Sequence, residues 1–423
     1  MTQTVAHSAS VPEFNAGAVR VGISNGMKSS SEKSFFNFAT VAPMSRAAYE
    51  AARTFMDDFY QYGPPEVLYR YDSLADNMAA EAARLINCAP AEITYLKNTT
   101  EGIIIASEAL PLGCGDEVLV LGNEYPANLL PWLRKRHDGV TVKVITGSDN
   151  EAAFRRLLES ISPQTRAISM SSAQRYDGFM PNLALLSERC RDQGIFLVID
   201  AVQHIGARAI DVAKTPVDIL VCGGQKYLRA GLGIGFMYVS QNVLPALRDS
   251  RVGIRSMEHF DENSYVLRNT AARFQDGTQN MAGLAALNAS LREINAIGMD
   301  AIEQKNLAIL QGIKAILREY KIDFIDHGMC QSNIVSLRTA DPSALANFLM
   351  ERGVYIKAIQ DVTRVSFIHE SKLEDVEVMA RHLHEFLHAD RKCIRSGSLG
   401  KPETAERRTG MKRPKLSSPL PTT

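Results

Sequence analysis

One lysine, Lys226, lies between two apolar runs in the segment ILVCGGQKYLRAGLGIGFMYV. Taken alone, such a residue is more often an ordinary surface lysine. A lysine at the carboxyl edge of a buried strand is instead partly desolvated, which lowers its pKa and supplies a neutral amine that attacks an aldehyde. The flanking glycines let the backbone approach a flat ligand. The GLGIG run precedes a strand and does not open a helix, so it does not predict a dinucleotide loop.

A carboxylate, Asp200, ends the strongly apolar run FLVID. An uncompensated charge there would be costly, and the carboxyl ends of parallel strands are where open α/β sheets bind ligands. A carboxylate in this place can pair with a protonated pyridine nitrogen and keep the ring an electron sink. The alternative is a helix N-cap, which Asp often provides. This segment alone does not decide between the two interpretations.

Two further segments carry polar groups that suit anions. Asn98, Thr99 and Thr100 lie between a short strand and a helix, where free N–H groups and hydroxyls suit a phosphate. A plain helix cap is the alternative for this segment. Arg364 leads into a short strand in TRVSF and can hold a substrate carboxylate through two parallel hydrogen bonds. An ordinary surface ion pair is the alternative for the arginine.

The elements that would position these residues alternate between apolar strands and amphipathic helices. Continuous apolar strands of this kind predict an α/β fold with a buried, mostly parallel sheet. We predict a large domain over residues 31–250 and a smaller C-terminal α/β domain over residues 251–394, where longer helices appear. The predicted strands of the large domain are 118–122, 142–146, 167–170, 196–200, 219–223 and 235–239.

The composition is that of a soluble globular protein. The chain has 423 residues, a net charge of zero, 45% hydrophobic and 22% charged residues. This balance gives no reason to expect nucleic acid or an acidic membrane as a partner, and no apolar stretch is long enough to cross a bilayer. There is no secretory signal pattern, and the six scattered cysteines favour reduced thiols in the cytoplasm over a disulfide framework.

We predict no specific function for the two ends of the chain or for one histidine motif. The composition of residues 1–30 predicts a flexible arm, and that of residues 395–423 predicts a disordered tail. The KRPK cluster of the tail is typical of a nuclear address or a nucleic-acid patch, but we prefer to interpret it as solvated charge. The HEFLH pattern over 384–388 matches a zinc motif but ends the last predicted helix. Without a third ligand or a roofed cleft, a solvated helix face and no metal are expected.

The order and spacing of the four segments resemble class V aminotransferases, the family of fold type I enzymes that use pyridoxal 5′-phosphate (PLP). This family includes cysteine desulfurases and isopenicillin N epimerase-like proteins. The resemblance runs from about Phe35 to about Leu387, nearly the whole folded part. It implies a PLP-dependent transferase fold, a Schiff base between PLP and Lys226, and a homodimer with shared active sites.

The resemblance also implies individual cofactor contacts. In NEYPANLLPW, Tyr125 stands where the family often has a His that stacks on the ring, and a flat π-face serves in either case. Gln225 stands where many desulfurases have a His that contacts the phosphate, and Gln174 aligns loosely with an Asn near the ring hydroxyl. FQDGTQN resembles the stretch that reaches the neighbouring subunit's phosphate. The implied cofactor residues are Thr99, Thr100, Tyr125, Gln174, Asp200, Gln203, Gln225, Lys226, Gly277 and Thr278.

The implied substrate residues are Asn37, in FFNFATVAP, and the carboxylate-binding Arg364. We expect Lys226 to move a proton at Cα of an amino acid, with transamination or β- or γ-elimination ranked first and epimerisation also open. Cysteine desulfurase is the alternative within the family, although no cysteine lies between Gly353 and Arg364. A non-catalytic PLP-fold scaffold is the alternative from another class, and the set of Asp200, Lys226 and Arg364 argues against it.

Overall fold

The computed structural model describes residues 33–395, with side chains described through residue 388, so the predicted arm and all but the first residue of the predicted tail lie outside the described residues. The strands are β1 (Ser34–Phe35), β2 (Ile93–Leu96), β3 (Glu117–Leu121), β4 (Thr141–Ile145), β5 (Thr165–Ser171), β6 (Phe196–Asp200), β7 (Ile219–Gly223), β8 (Gly235–Val239), β9 (Met257–Phe260), β10 (Tyr265–Leu267), β11 (Ile334–Arg338), β12 (Val354–Tyr355), β13 (Lys357–Ile359) and β14 (Val362–Ser366). The α-helices are α1 (Arg46–Tyr62), α2 (Pro64–Arg70), α3 (Leu74–Ile86), α4 (Thr99–Ala109), α5 (Leu130–Arg134), α6 (Asn150–Glu159), α7 (Leu183–Gln193), α8 (Met281–Ile297), α9 (Met299–Glu319), α10 (Pro342–Glu351) and α11 (Leu373–Arg395).

The large sheet has seven strands in the order β2-β8-β7-β6-β5-β3-β4. All neighbouring pairs are parallel except the two that involve β8. The six apolar runs are strands, and the predicted mostly parallel sheet is confirmed. Because β8 returns directly beside β7, the loop between them stays at the carboxyl edge of the parallel strands. That loop carries Lys226.

Both faces of this sheet are buried, which explains the continuous apolar strands. Successive side chains of a strand point to opposite faces. In β6, Leu197 and Ile199 pack in a first core with α1, α3 and α8, whereas Val198 packs in a second core with α4 and α5. The single tryptophan, Trp132 of α5, is fully buried in the second core.

Helix α8 begins beyond the predicted domain boundary at residue 250, yet it packs with the large sheet. Its residues Leu284, Leu287 and Leu291 are buried in the first core, and the helix lies along α1 and α3. Helix length in the sequence does not reveal which sheet a helix covers, so the pattern change near residue 250 was misleading. We propose that the smaller domain begins near Gly298, which separates α8 from α9.

The smaller domain is built on an antiparallel sheet of order β11-β14-β13, covered by α9, α10 and α11. Strand β1 pairs in parallel with β12 of this domain, and the backbone of Phe36 accepts a hydrogen bond from Ser366 of β14. The chain therefore begins, among the described residues, against the smaller domain before it enters α1. Over residues 33–395, none of the helices has the length and apolarity needed to cross a membrane.

Candidate active site

The loop that follows β7 holds Lys226 at the carboxyl edge of the sheet. Gly224 donates to the carbonyl of Ile234 at 2.8 Å and accepts from Ala230 at 2.8 Å, which closes the loop into a tight turn. A Cβ at position 223 would lie 2.3 Å from Gln225 Oε1 and 3.0 Å from Thr99 Oγ1, so a larger residue there would displace the Gln225 side chain. The small Gly223 thus leaves room for the Gln225 side chain.

Asp200 ends β6, the strand next to β7. The carboxylate is buried, and its Oδ1 accepts a hydrogen bond from the backbone of Val202 at 3.0 Å. Turns and no helix follow in residues 201–208, so the helix N-cap interpretation of Asp200 is wrong. The local bond occupies one oxygen, and the carboxyl group also lines the cavity above the sheet edge.

Lys226 and Asp200 face the same cavity, which has a volume of about 420 Å³. Burial raises the pKa of Asp200, and the neighbouring lysine opposes this shift. Burial lowers the pKa of Lys226, and Asp200 opposes that shift in turn. The site therefore favours a lysine amine that gives up its proton more readily than a solvated lysine does. The surface interpretation of Lys226 is wrong.

The start of α4 forms one end of the cavity. Asn98 is the N-cap, and its side chain accepts from the backbone of Glu101 at 3.0 Å. Asn98 also lines the cavity, together with the hydroxyl-bearing Thr99 and Thr100. The Thr99 hydroxyl is buried without a hydrogen-bond partner among the described residues. The cap and the ligand interpretations of this segment are thus compatible.

Arg364, in the middle strand of the smaller sheet, forms another wall of the cavity. It is only 2% exposed, so the surface ion-pair interpretation is wrong. Its Nη1 donates to the carbonyl of Arg175 at 2.9 Å, and its Nη2 donates to the hydroxyl of Thr40 at 2.6 Å. Asn37 does not line the cavity, and its Oδ1 accepts from the Thr40 hydroxyl at 2.7 Å. Asn37 therefore acts on Arg364 through Thr40.

Three other predicted cofactor residues lie off the cavity lining of this chain. Gln174 is buried and donates to Glu124 at 2.9 Å. Gly277 and Thr278 lie on the loop before α8, where Asp276 contacts Arg251 at 3.7 Å. The predicted cofactor residues that line it are Thr99, Thr100, Tyr125, Asp200, Gln203, Gln225 and Lys226, and the predicted substrate residue Arg364 lines it as well.

Four residues that were not predicted from the sequence line the cavity or support its lining. Arg175 and Lys357 line it with their cationic side chains, and Thr40 lines it as the acceptor for Arg364. Glu124 lies beneath, where its Oε1 accepts from the backbone of Ser171 at 2.8 Å. Arg175 follows β5 closely in the chain, so a search of strand ends for charged residues would have found it. Lys357 becomes visible only through strand pairing.

Comparison with known proteins identifies the family of this chain. The model of the class V aminotransferase family matches residues 66–379, well over half of the chain. The chain belongs to the class V aminotransferases. The predicted resemblance and the predicted fold are confirmed, and enzymes of this family use PLP.

Relatives and solved structures in this family carry several names. A probable cysteine desulfurase of Methanothermobacter thermautotrophicus is 29% identical over 66% of this chain and 71% of that protein. An uncharacterized aminotransferase of Schizosaccharomyces pombe is 25% identical over 82% of this chain and 90% of that protein. The cystine C-S lyase C-DES, solved with its reaction product cysteine persulfide, superposes with a TM-score of 0.78 at 21% identity, covering 84% of this chain and 98% of that one.

The cavity of this class V aminotransferase fits PLP. Buried oxygens without a hydrogen-bond partner among the described residues include Thr99 Oγ1 at the α4 end and Gln203 Oε1 near Asp200. Hydroxyls at a helix start suit the phosphate, and a buried carboxylate suits a protonated ring nitrogen. Tyr125, half exposed at the cavity rim, offers an aromatic face. The family's cofactor therefore accounts for polar groups that the protein alone leaves unpaired.

Proposed function

We propose that the protein is a PLP-dependent enzyme that removes a proton from Cα of an amino acid, with Lys226 as the acid–base group. The observation that carries this proposal is that the half-buried Lys226 and the buried Asp200 face one cavity together with Arg364. Bound PLP supplies an electron sink that stabilises negative charge at Cα. Class V relatives named as aminotransferases and desulfurases support an amino-acid substrate.

Each of the three residues has a distinct part in this proposal. Lys226 takes the Cα proton as a neutral amine, a form that burial favours by lowering its pKa. Asp200 remains ionised when a cation lies next to it, and it holds a proton at the ring nitrogen. Arg364 is fixed by Thr40 and by the carbonyl of Arg175, so its remaining donors can orient the substrate carboxylate.

Transamination or elimination remains the preferred outcome after proton removal. Elimination at a C–S bond is supported by the C-S lyase neighbour, whose product is cysteine persulfide. In such a reaction the sulfur leaves with the product, so no protein thiol has to accept it. None of the described cysteine side chains lines the cavity. Ammonia and keto acid released without an added acceptor would indicate elimination, whereas a requirement for a second keto acid would indicate amino transfer.

Cysteine desulfuration is a second candidate, because several relatives carry that name. It requires a thiol that reaches the substrate sulfur. Cys222 is buried within β7 and Cys330 is exposed beside β11, outside the cavity lining. With a thiol reductant added to reduce the protein persulfide, a desulfurase would release sulfide and alanine from cysteine, and Cys330→Ser, or another single cysteine substitution, would abolish this release. Sulfide release that survives replacement of every cysteine would exclude it.

We also propose that the enzyme is a cytoplasmic homodimer. Gly277 and Thr278 lie off the cavity of their own chain, and the family resemblance assigns them to the phosphate site of a neighbouring subunit. Leu232 lines the cavity rim and is 72% exposed, which a second subunit could cover. The five described cysteine thiols are all free, as expected in a reducing compartment. Light scattering of the purified protein tests the dimer.

The decisive test of the proposed function is the cofactor spectrum. The purified protein should become coloured with PLP, and borohydride treatment followed by peptide mapping should find the label on Lys226. Lys226→Ala should take up no borohydride-stable label, whereas the exposed Lys372→Ala should behave as wild type. A panel of amino acids should then change the spectrum of the wild type. A protein that stays colourless, or one labelled at another lysine, would refute the proposal.

A further inference from the structure

The cavity has an excess of positive charge. Among the described residues that line it, the cationic side chains are Lys226, Arg364, Arg175 and Lys357, and the one carboxylate is Asp200. Three of these five side chains have a part in the proposed function, but the cationic side chains of Arg175 and Lys357 have none. We propose that Arg175 and Lys357 bind an anionic group at the end of the substrate side chain. The substrate is then an acidic amino acid, an inference that rests on the proposed function.

Arg175 lies beside Arg364 and the aromatic rim. Its carbonyl accepts from Arg364 Nη1 at 2.9 Å, and its guanidinium carbon is 5.3 Å from the ring centroid of Tyr125. Its Nε is buried with no hydrogen-bond partner among the described residues. No carboxylate of the described part of the chain forms a salt bridge with it. Arg175 lines the cavity and has a buried donor without a partner, so its guanidinium is suited to an external acceptor.

Lys357 lies directly opposite Arg364 in the antiparallel pair of β13 and β14. Side chains at directly opposed positions share one face of the sheet, and like charges there destabilise the pair. Lys357 makes no salt bridge with the described residues, and it is exposed where it lines the cavity. An anion bound between Lys357 and Arg175 would offset this repulsion.

The PLP phosphate does not account for these two cations. The groups that suit phosphate are Thr99 and Thr100 at the start of α4 and Gln225 in the loop after β7, and both Thr99 and Gln225 lie next to Gly223. Arg175 and Lys357 are instead tied to Arg364, one by a hydrogen bond and the other by strand register. The substrate α-carboxylate is sufficient for Arg364. A second acidic group, on the substrate, is what the remaining charges require.

Matched acid and amide ligands test this inference on the PLP-loaded protein. Half-saturation of the spectral change is measured with L-aspartate against L-asparagine and with L-glutamate against L-glutamine, which differ in charge and little in shape. In at least one pair the acid should bind about tenfold tighter or more, the effect of one charge-assisted hydrogen bond. Lys357→Gln and Arg175→Gln should each reduce that ratio, and Lys357→Glu should invert it.

The control variant is Lys372→Gln, an exposed lysine off the cavity lining, which should leave the ratio unchanged. Arg175→Gln keeps the backbone carbonyl that holds Arg364, so the arginine wall should survive. Equal binding of acid and amide would overturn the inference. So would a Lys357→Gln variant that weakens both members of a pair equally, since this would indicate a structural role.

Calorimetric titration separates this inference from the proposed function, because it needs no reaction. Succinate should bind the PLP-loaded protein about tenfold tighter than succinamate, and Lys357→Gln should remove the difference. If succinate is preferred but no amino acid changes the spectrum, the proposed function fails while the second anion site stands. If succinate and succinamate bind equally while amino acids do change the spectrum, the anion site alone is refuted.

Discussion

The contact between Thr40 and Arg364 allows a quantitative test of how the carboxylate-binding arginine is positioned. The Thr40 hydroxyl accepts from Arg364 Nη2 at 2.6 Å, and the guanidinium is 2% exposed. Thr40→Val keeps the side-chain shape and removes the acceptor. A hydrogen bond to a charged group contributes about 1.5–3 kcal/mol, and a buried donor left without a partner costs a similar amount. Arg364 would then keep only its bond to the carbonyl of Arg175.

The expected result follows from that magnitude. Every 1.4 kcal/mol corresponds to a factor of ten, so Thr40→Val should weaken amino-acid binding by about 10- to 100-fold if the arginine turns away. The assay is half-saturation of the PLP spectral change, run beside thermal unfolding of the same variant. Thr40→Ser, which keeps the hydroxyl, should bind within about threefold of wild type. A Thr40→Val variant that binds the substrate normally would refute the positioning role.

Three further predictions concern the lysine and the elements around it. The apo-protein should react with PLP at a rate that rises with pH through a midpoint below the ordinary lysine pKa of about 10.4, because burial lowers the pKa of Lys226. Asp200→Asn removes a charge that raises this pKa, so the midpoint should fall further; an unchanged midpoint, measured by stopped-flow absorbance, would contradict the coupling. Gly206 has φ +86 and a Cβ there would lie 2.8 Å from the backbone of Tyr227, so Gly206→Ala should cost at least about 2 kcal/mol in denaturant unfolding. Gly194, with φ +65 and open space around it, is the matched control and should cost about 1 kcal/mol on the same change. Asn98→Ala should cost about 1 kcal/mol of stability in denaturant unfolding, because the helix cap is lost. If this variant binds PLP as the wild type does, the PLP site at the start of α4 does not depend on the cap.

The sheet could be predicted because its strands have an uncommon composition. Runs such as 196–200 and 219–223 are apolar at every position before the final polar or glycine residue, which is typical of strands in a sheet buried on both faces. Alternate residues of β6 do pack in two separate cores. Strand ends were visible for the same reason, since Asp200 interrupts an apolar run. The place of α8 was not visible, because its apolar face fits either domain.

The site could be predicted only in part, since its walls come from distant segments. Lys226 and Asp200 follow adjacent strands, so local pattern was enough for them. Asn37 was assigned to the substrate, and the structure gives it the role of a partner to Thr40. Lys357 has no local signal, because its importance comes from the pairing of β13 with β14. Pairing between strands of different sequence position is information that a single sequence does not carry.

The contacts of Arg364 connect three parts of the chain at the substrate site. The arginine belongs to the smaller sheet, one of its acceptors is the carbonyl of Arg175 after β5 of the large sheet, and the other is Thr40 in the first described segment. That segment is itself paired with the smaller domain, since Ser34 and Phe35 lie beside β12. Binding of a substrate carboxylate to Arg364 should therefore depend on the contact between the two domains as well as on the arginine itself. Substitutions at this contact that leave each domain folded should change substrate binding more than PLP binding, because the predicted PLP contacts that line the cavity all come from the large domain.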